Sequence, residues 1–268
     1  MTVLTGAGVS TGSGIPDYRD RDGNSKIKTP IQFPEFIGSE AARQRYWARS
    51  FVGFQRFSRA EPNAAHFALV DMEASGRIDT LITQNVDGLH REAGSQNLIH
   101  LHGDLAQVVC LQCDRRLARS DYQQQLQAAN AGWHARVFAI NPDGDAELAE
   151  DNLASFRVPG CDDCGGMLKP DVVLFGENVP RQRVADASAA VERSDGLLIL
   201  GSSLMVFSGF RFARQAQALG KPVAIVNQGK TRADEIASLK IDSDCAAVLA
   251  DLPSNKPLAK RPENTNSR

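Results

Sequence analysis

Four short apolar runs, each followed by glycine or small polar residues, constrain the fold more than any other feature of the chain. They are residues 3–5, 81–83, 197–200 and 223–226. Their apolar residues are continuous and do not alternate with polar ones, which is typical of strands covered on both faces of a parallel sheet. Between the last two runs, residues 210–219 have the character of a crossover helix that ends at Gly220. The sequence therefore predicts an α/β fold with a parallel sheet.

Four of the five cysteines form two C-x-x-C pairs, Cys110 with Cys113 and Cys161 with Cys164. Such pairs can present both thiolates to one tetrahedral metal ion, and four cysteines leave that ion no open position for catalysis. We therefore expect one structural zinc ion that stabilises a small inserted module. The alternative is two separate redox or buried pairs, because the 47 intervening residues exceed the spacing of a compact zinc ribbon. The apolar anchors of that module would be Trp133, Phe138 and Phe156.

The composition of the 268-residue chain excludes several classes of protein. Hydrophobic residues make up 42% and charged residues 23%, which is the balance of a globular protein. The net charge of -2 gives no general attraction to nucleic acid or to an anionic membrane, so a basic substrate must be recognised locally. No run approaches the roughly 20 apolar residues of a membrane helix, and no targeting segment is evident. We expect a cytoplasmic monomer without a disulfide framework, since the cysteine count is odd.

Residues at the ends of the predicted strands indicate a nucleotide site. The segment Gly6-Ala7-Gly8-Val9-Ser10 directly follows the first run, and its glycines would let backbone amides approach a phosphate. Thr11 replaces the third glycine of the usual dinucleotide fingerprint, so a tight turn without a ligand is the alternative. Comparable strand ends are Thr83-Gln84-Asn85-Val86-Asp87, Gly201-Ser202-Ser203 and Asn227-Gln228-Gly229. Ligands of open α/β sheets bind at such carboxyl ends, which predicts a cofactor crevice.

Motifs along nearly the whole chain resemble those of the sirtuin, or Sir2, family. They are residues 6–10, 14–19, 83–87, 101–103, the two cysteine pairs, 169–177 and 201–203. Residues 10–14 and 43–49 are similar to class II, the branch that contains the fourth human sirtuin and bacterial members. The resemblance implies an NAD-dependent protein-lysine deacylase, in which NAD and an acyl-lysine protein or peptide meet in a cleft between two domains.

The domain boundaries that we expect follow from the same resemblance. A Rossmann-like NAD-binding domain, a doubly wound parallel sheet, would comprise residues 1–29, 64–105 and 168–252. A smaller helical and zinc-binding domain would comprise residues 30–63 and 106–167. Residues 253–268 are rich in Pro, Asn, Lys and Arg, which predicts a disordered tail.

The resemblance also implies NAD contacts for the strand-end residues and for a few further positions. The implied set is Gly6, Ala7, Gly8, Ser10, Asp17, Tyr18, Arg19, Gln84, Asn85, Val86, Asp87, Gly201, Ser202, Ser203, Asn227, Gln228, Gly229 and Cys245. Tyr18 and Arg19 would lie on a loop that covers the nicotinamide, and Asn85 would also be catalytic. A small buried hydrophobe is the simpler interpretation of the lone Cys245.

His102 is the expected catalytic base. A histidine before a glycine is usually a polar loop residue, and His100, two positions earlier, would point to the same face of a strand. The family motif selects His102, whose imidazole suits proton removal near neutral pH. The implied reaction consumes NAD and releases nicotinamide, free lysine and O-acyl-ADP-ribose, with His102 activating a ribose hydroxyl.

The acyl-lysine peptide is expected to bind as a strand between residues 173–177 and 208–210. The contacts that the resemblance implies are Val173, Phe175, Gly176, Glu177 and Gly209. Tyr46 and Arg49 have the spacing of a pair that binds carboxylated acyl groups, and a solvated helix face is the alternative. Two rival functions remain open: a protein mono-ADP-ribosyltransferase that uses the same crevice, and a zinc- and NAD-binding module without catalysis.

Overall fold

The computed structural model of the chain describes residues 1–26, 30–140 and 145–252. Its strands are β1 Thr2–Thr5, β2 Thr80–Thr83, β3 Leu98–His100, β4 Gly103–Cys110, β5 Arg116–Ala118, β6 Val137–Ile140, β7 Ala146–Leu148, β8 Leu168–Val172, β9 Leu197–Leu200, β10 Val223–Val226 and β11 Leu239–Ile241. Its helices are α1 Phe33–Gly38, α2 Glu40–Phe57, α3 Ala64–Ala74, α4 Leu89–Ala93, α5 Arg119–Ala129, α6 Arg181–Arg193, α7 Phe207–Ala218 and α8 Cys245–Ala250. None of the helices in these described ranges is long and apolar enough to span a membrane. The predicted tail, residues 253–268, lies outside the described residues.

Six strands form the main sheet, in the order β11-β10-β9-β1-β2-β3. Every neighbouring pair in it is parallel. The chain builds one half of the sheet from β1 through β3, and later builds the other half from β9 through β11. This doubly wound order confirms the predicted α/β class. It opens a crevice at the carboxyl ends of β1 and β9, where the direction of winding reverses.

Strand β1 shows why a continuous apolar run becomes a central strand. All four of its residues are buried. Val3 packs in a cluster with residues of α3 and α8, while Leu4 packs in another with residues of α6 and α7. Successive side chains of a strand point to opposite faces, so an unbroken apolar run needs helices on both faces of the sheet. Burial of the side chain of Val3 or of Leu4 contributes about 1.5–3 kcal/mol to the free energy of folding.

Helix α7 begins at Phe207, three residues before the predicted start of the crossover helix. The prediction failed there because Gly209 resembles a loop residue in the sequence. In the structure, a Cβ at Gly209 would stand only 2.3 Å from Oε1 of Gln84. The glycine therefore lets the first turn of α7 approach the end of β2 closely, and this approach brings Ser208 to the cleft.

A separate core fills the module that is inserted into the sheet domain. It contains the antiparallel sheet β5-β4-β8, the β6–β7 hairpin, and helices α2 and α5. Trp47 of α2 is fully buried, and its Nε1 donates to the carbonyl of Leu168 at 3.2 Å. Of the predicted anchors, Trp133 and Phe156 pack with ring centroids 4.8 Å apart. Phe138 is 61% exposed, so that anchor was wrong, because a two-stranded hairpin buries residues on only one face.

Strands β4 and β8 join the module to the main sheet. β4 begins directly after His102 and ends at Cys110, and β8 pairs with it in the antiparallel sense. Gly103 has a φ of +89°, and a Cβ there would stand 2.0 Å from the carbonyl oxygen of Asp171. Only glycine fits this crossing without a shift of the backbone. The crossing fixes His102 at the boundary between sheet and module.

Candidate active site

A cavity of about 430 Å³ lies at the carboxyl ends of β1, β2, β9 and β10, on the side where the module meets the sheet. Most of the predicted cofactor residues line it: Gly6, Ala7, Gly8, Asp17, Tyr18, Arg19, Gln84, Asn85, Val86, Gly201, Ser202, Ser203, Asn227 and Gln228. Four predicted cofactor residues do not: Ser10, Asp87, Gly229 and Cys245. The structure thus brings together the four strand ends that are far apart in the sequence.

Gly6 and Gly8 let the turn after β1 pack against the turn after β9. A Cβ on Gly6 would stand 2.7 Å from Cβ of Ser202, and one on Gly8 would stand 2.8 Å from Cα of Gly201. The amide of Gly6 donates to the carbonyl of Leu200, and that of Gly8 to the carbonyl of Gly201. Because both amides are already bonded, these glycines shape the floor of the cleft by close packing.

Asn85 is held by a buried network behind the cleft. Its Nδ2 donates to the carbonyl of Gly6 and to Oγ of Ser10, each at 3.1 Å. Ser10 in turn donates to Oδ2 of Asp87 at 2.7 Å. Burial raises the pKa of Asp87, while its bond from Ser10 lowers it. Ser10 and Asp87 therefore position Asn85 from behind, which explains why they do not line the cavity.

Gly229 and Cys245, the other two predicted cofactor residues that do not line the cavity, contribute to the packing around the cleft. A Cβ on Gly229 would stand 2.3 Å from the carbonyl oxygen of Arg21, so this glycine admits the loop that carries Arg19. Cys245 is 3% exposed and packs with Val226 under the sheet. Burial raises the pKa of its thiol to about 12, so it stays protonated and behaves as a small hydrophobe.

His102 lines the cleft and has both ring nitrogens bonded. Its Nδ1 lies 3.0 Å from the carbonyl oxygen of Gln84, which can only accept, so Nδ1 carries the proton. Its Nε2 then presents a lone pair, and the hydroxyl of Ser208 donates to it at 2.7 Å. Burial lowers the pKa of His102 to about 4, although the bond to Gln84 acts in the opposite direction. At neutral pH the ring is therefore uncharged and able to accept a proton.

His100 does not share this cleft. It lines a separate cavity with Asp104, Asp171 and Arg183, on the far side of the crossing strands. The expectation that both histidines share one face was wrong, because β3 ends at His100 and a turn follows at residues 101 and 102. Strand alternation does not continue through that turn.

The segment after β8 forms the wall that faces α7. Of the predicted peptide contacts, Val173, Phe175, Gly176 and Glu177 line the cleft, and the amide of Val173 donates to the carbonyl of His102 at 2.8 Å. Gly209 does not line it, since that glycine packs against Gln84.

Tyr46 and Arg49, which were predicted to act as a pair, are placed differently. Tyr46 is buried and lines the cleft. Arg49 does not line it: its Nε donates to the carbonyl of Ala146 at 3.0 Å and lies 3.5 Å from Oδ2 of Asp145. The guanidinium is thus engaged by the β6–β7 hairpin of the module.

Several lining residues carried no signal in the sequence analysis. They are Ile31, Leu105, Met205, Val206, Phe207 and Arg211. They come from distant segments, and each one alone resembles an ordinary core or surface residue. The contact between Ser208 and the base was missed for the same reason, because residues 102 and 208 meet only through the fold.

The four paired cysteines converge at the far end of β4 from His102. Their sulfur atoms all lie within 4.8 Å of one another, and none is in a disulfide. Sγ of Cys110 lies 3.5 Å from that of Cys164, and Sγ of Cys113 lies 3.8 Å from that of Cys161. Thiolates about 2.3 Å from a common tetrahedral ion stand roughly 3.8 Å apart, so the donor set fits zinc. Its distance along β4 from the cleft makes it a structural site.

Known proteins resemble this chain in sequence, and solved structures resemble it in fold. The model of the Sir2 family matches residues 6–208. An NAD-dependent protein deacetylase of Xanthomonas axonopodis pv. citri is 52% identical over 270 residues, covering 100% of this chain and 92% of that protein. The NAD-dependent protein deacylase Sirt4 of Drosophila melanogaster is 47% identical over 255 residues, covering 94% and 82%. A solved structure of Sir2 with p53 peptide and NAD+ has a TM-score of 0.73 at 30% identity, covering 93% and 90%.

Proposed function

This chain belongs to the Sir2 family, and from that premise we propose that it is an NAD-dependent protein-lysine deacylase. It would remove an acyl group from a lysine side chain and transfer it to ADP-ribose, with release of nicotinamide. The observation that carries the proposal is the uncharged, half-buried His102, whose Nε2 lone pair faces the cleft where the four strand ends meet. The similar deacetylases of Xanthomonas and Bordetella are bacterial proteins, which supports a cytoplasmic location.

The residues of the cleft fit NAD. Asn85, Ser202 and Asn227 supply amide and hydroxyl groups at the ends of three strands, and Arg19 adds a positive charge from the covering loop. Asn227 stands where a dehydrogenase usually carries a carboxylate, and it is 8% exposed. When bound, NAD supplies a reactive bond between ribose and nicotinamide, and hydride transfer plays no part. The residues of the cleft orient the two substrates and exclude water.

His102 is the group that takes up a proton in this proposal. A ribose hydroxyl that gives its proton to Nε2 competes with Ser208, which already donates there. The carbonyl of Gln84 holds the Nδ1 proton in place and stabilises the ring once Nε2 is protonated. His102 thus needs no carboxylate partner, and the bond to Gln84 alone selects the tautomer that can act as a base.

The acyl group would meet an apolar wall. Ile31, Leu105, Leu174 and the ring of Tyr46 line this part of the cleft, whereas Arg49 is bonded to Ala146 and Asp145. A carboxylated acyl group would lose its hydration at this wall without gaining a cation from the residues that form it. We therefore place neutral acyl groups, such as acetyl, ahead of succinyl or glutaryl as substrates.

Product analysis separates this function from mono-ADP-ribosyl transfer. The protein is incubated with NAD and an acetyl-lysine peptide, and both the small molecules and the proteins present are measured by mass spectrometry. Deacylation yields nicotinamide, free lysine and O-acetyl-ADP-ribose. A gain of ADP-ribose mass on protein, with the acetyl group still on the peptide, would replace the proposal by the transferase alternative.

A further inference from the structure

Two arginines stand at the mouth of the cleft without a carboxylate partner among the residues that the structure describes. Arg211 of α7 lines the cleft, and Arg232 follows the end of β10. Neither takes part in an ion pair of the described ranges. Nε of Arg211 is buried and has no hydrogen-bond partner there. The site thus holds positive charge that the chain itself does not neutralise.

Both guanidinium groups lie against one exposed aromatic ring. Cζ of Arg211 is 5.2 Å from the ring centroid of Phe207, and Cζ of Arg232 is 6.0 Å from it. Arg232 also lies 4.6 Å from the ring of Phe210. Phe207 is 47% exposed. Two like charges over one ring repel each other, and a bound anion would relieve that repulsion.

Backbone contacts fix Arg232 beside the cleft. Its amide donates to the carbonyl of Ser203 at 2.8 Å, and its Nη1 donates to the carbonyl of Met205 at 3.3 Å. Both acceptors belong to the loop between β9 and α7, which lines the cleft. The positive charge is therefore held in place at the rim of the site.

The carboxylates that line the cleft are already engaged. Asp17 pairs with Lys26, and Asp20 accepts bonds from Asn24. Oε2 of Glu177 accepts from Lys169 and from the amide of Leu174. Together with Arg19, which donates to the carbonyl of Gly23, Arg211 and Arg232 are cations at the cleft without a carboxylate partner among the described residues.

We propose that Arg211, Arg232 and the exposed Phe207 form an anion-binding rim that selects acyl-lysines flanked by acidic side chains. The inference rests on the proposed function, and it names the class of protein segment that this cleft takes. An aspartate or glutamate close to the acyl-lysine would pair with the two guanidinium groups, while the acyl chain enters toward Tyr46. A net charge of -2 over the whole chain does not supply this preference, so it is a local property of the rim.

The test compares acetyl-lysine peptides of one length whose flanking residues are acidic, neutral or basic. Deacetylation is measured with NAD, and binding of fluorescent peptides is measured separately by anisotropy. We expect acidic flanks to be favoured over basic flanks by about fivefold, mainly through KM, because partly exposed ion pairs are weak individually. The preference should shrink as salt is raised.

Arg232→Glu should reverse the ratio between acidic and basic peptides. Arg214→Glu makes the same change on an exposed residue of α7 that does not line the cleft, and it should leave the ratio as in the wild type. Deacetylation without any charge preference would refute the rim and leave the proposed function standing. A charge preference in binding without turnover would keep the rim and refute the function. Absence of both binding and turnover would refute both.

Discussion

Ser208→Ala removes the hydroxyl that donates to the lone pair of His102. This bond is 2.7 Å long, and the hydroxyl can turn to accept from Nε2 once the ring is protonated. A bond from the imidazolium is charge-assisted and is stronger than the bond to the neutral ring by about 1 kcal/mol. Because one pKa unit corresponds to about 1.36 kcal/mol, loss of the hydroxyl should lower the pKa of His102 by roughly 0.7.

The sign of the kinetic effect follows from the role of the neutral ring. Burial sets the pKa of His102 to about 4, so the base is uncharged above that pH and is lost as the pH falls through it. In Ser208→Ala the acidic limb of kcat/KM should therefore move to lower pH by roughly 0.7. The assay is deacetylation of a neutral acetyl-lysine peptide in steps from about pH 3 upward.

Ser208→Thr keeps a hydroxyl and provides the matched control. Its acidic limb should coincide with that of the wild type, whatever happens to its maximal rate. A merely structural role for Ser208 would lower the rate equally at every pH and leave the limb in place. An unmoved limb in Ser208→Ala, or one moved to higher pH, would refute this role of the Nε2 contact.

Three further predictions concern the supports of the site and its acyl preference. Gly103→Ala should destabilise the protein by about 3 kcal/mol and abolish activity, since its Cβ would stand 2.0 Å from a backbone oxygen. The loss of stability is measured by thermal unfolding. Gly132→Ala is the control, because Gly132 has a similar φ but open space around it, and it should cost only about 1 kcal/mol. Elemental analysis should find one zinc ion per chain. Removal of the zinc with a strong chelator should abolish activity and expose Trp47, which would shift the tryptophan fluorescence to the red. Full activity in the zinc-free protein would contradict a structural metal. Acetyl-lysine should be turned over at least ~10-fold faster than glutaryl-lysine, and equal rates would show that Arg49 is released from Asp145.

The elements that the sequence predicted share one property, which is that a local pattern determines them. The apolar runs at β1, β2, β9 and β10 are continuous because both faces of those strands are covered. Four adjacent residues are enough to show this pattern in the sequence. The C-x-x-C spacing likewise identifies its own chemistry, and the four sulfur atoms do converge. Neither feature requires knowledge of distant contacts.

The features that the sequence could not supply depend on contacts between distant segments. Arg49 is bonded to the hairpin that begins about 90 residues later, and no local pattern reports that partner. Gly6 and Gly8 indicated a phosphate loop, whereas their amides are bonded to the last residue of β9 and to the glycine that follows it. Ser208 reaches His102 only because Gly209 lets α7 approach β2.

His102 is the proposed base of an NAD-dependent deacylase, and NAD-dependent deacetylation of an acetyl-lysine peptide tests this role most directly. Wild type, His102→Ala and His100→Ala are compared with NAD and an acetyl-lysine peptide, with circular dichroism to establish that each is folded. We expect His102→Ala to lose deacetylation by about 10²–10⁴-fold. His100 lines a different cavity, so His100→Ala should retain activity close to that of the wild type. Deacetylation by His102→Ala at the wild-type rate would contradict the account.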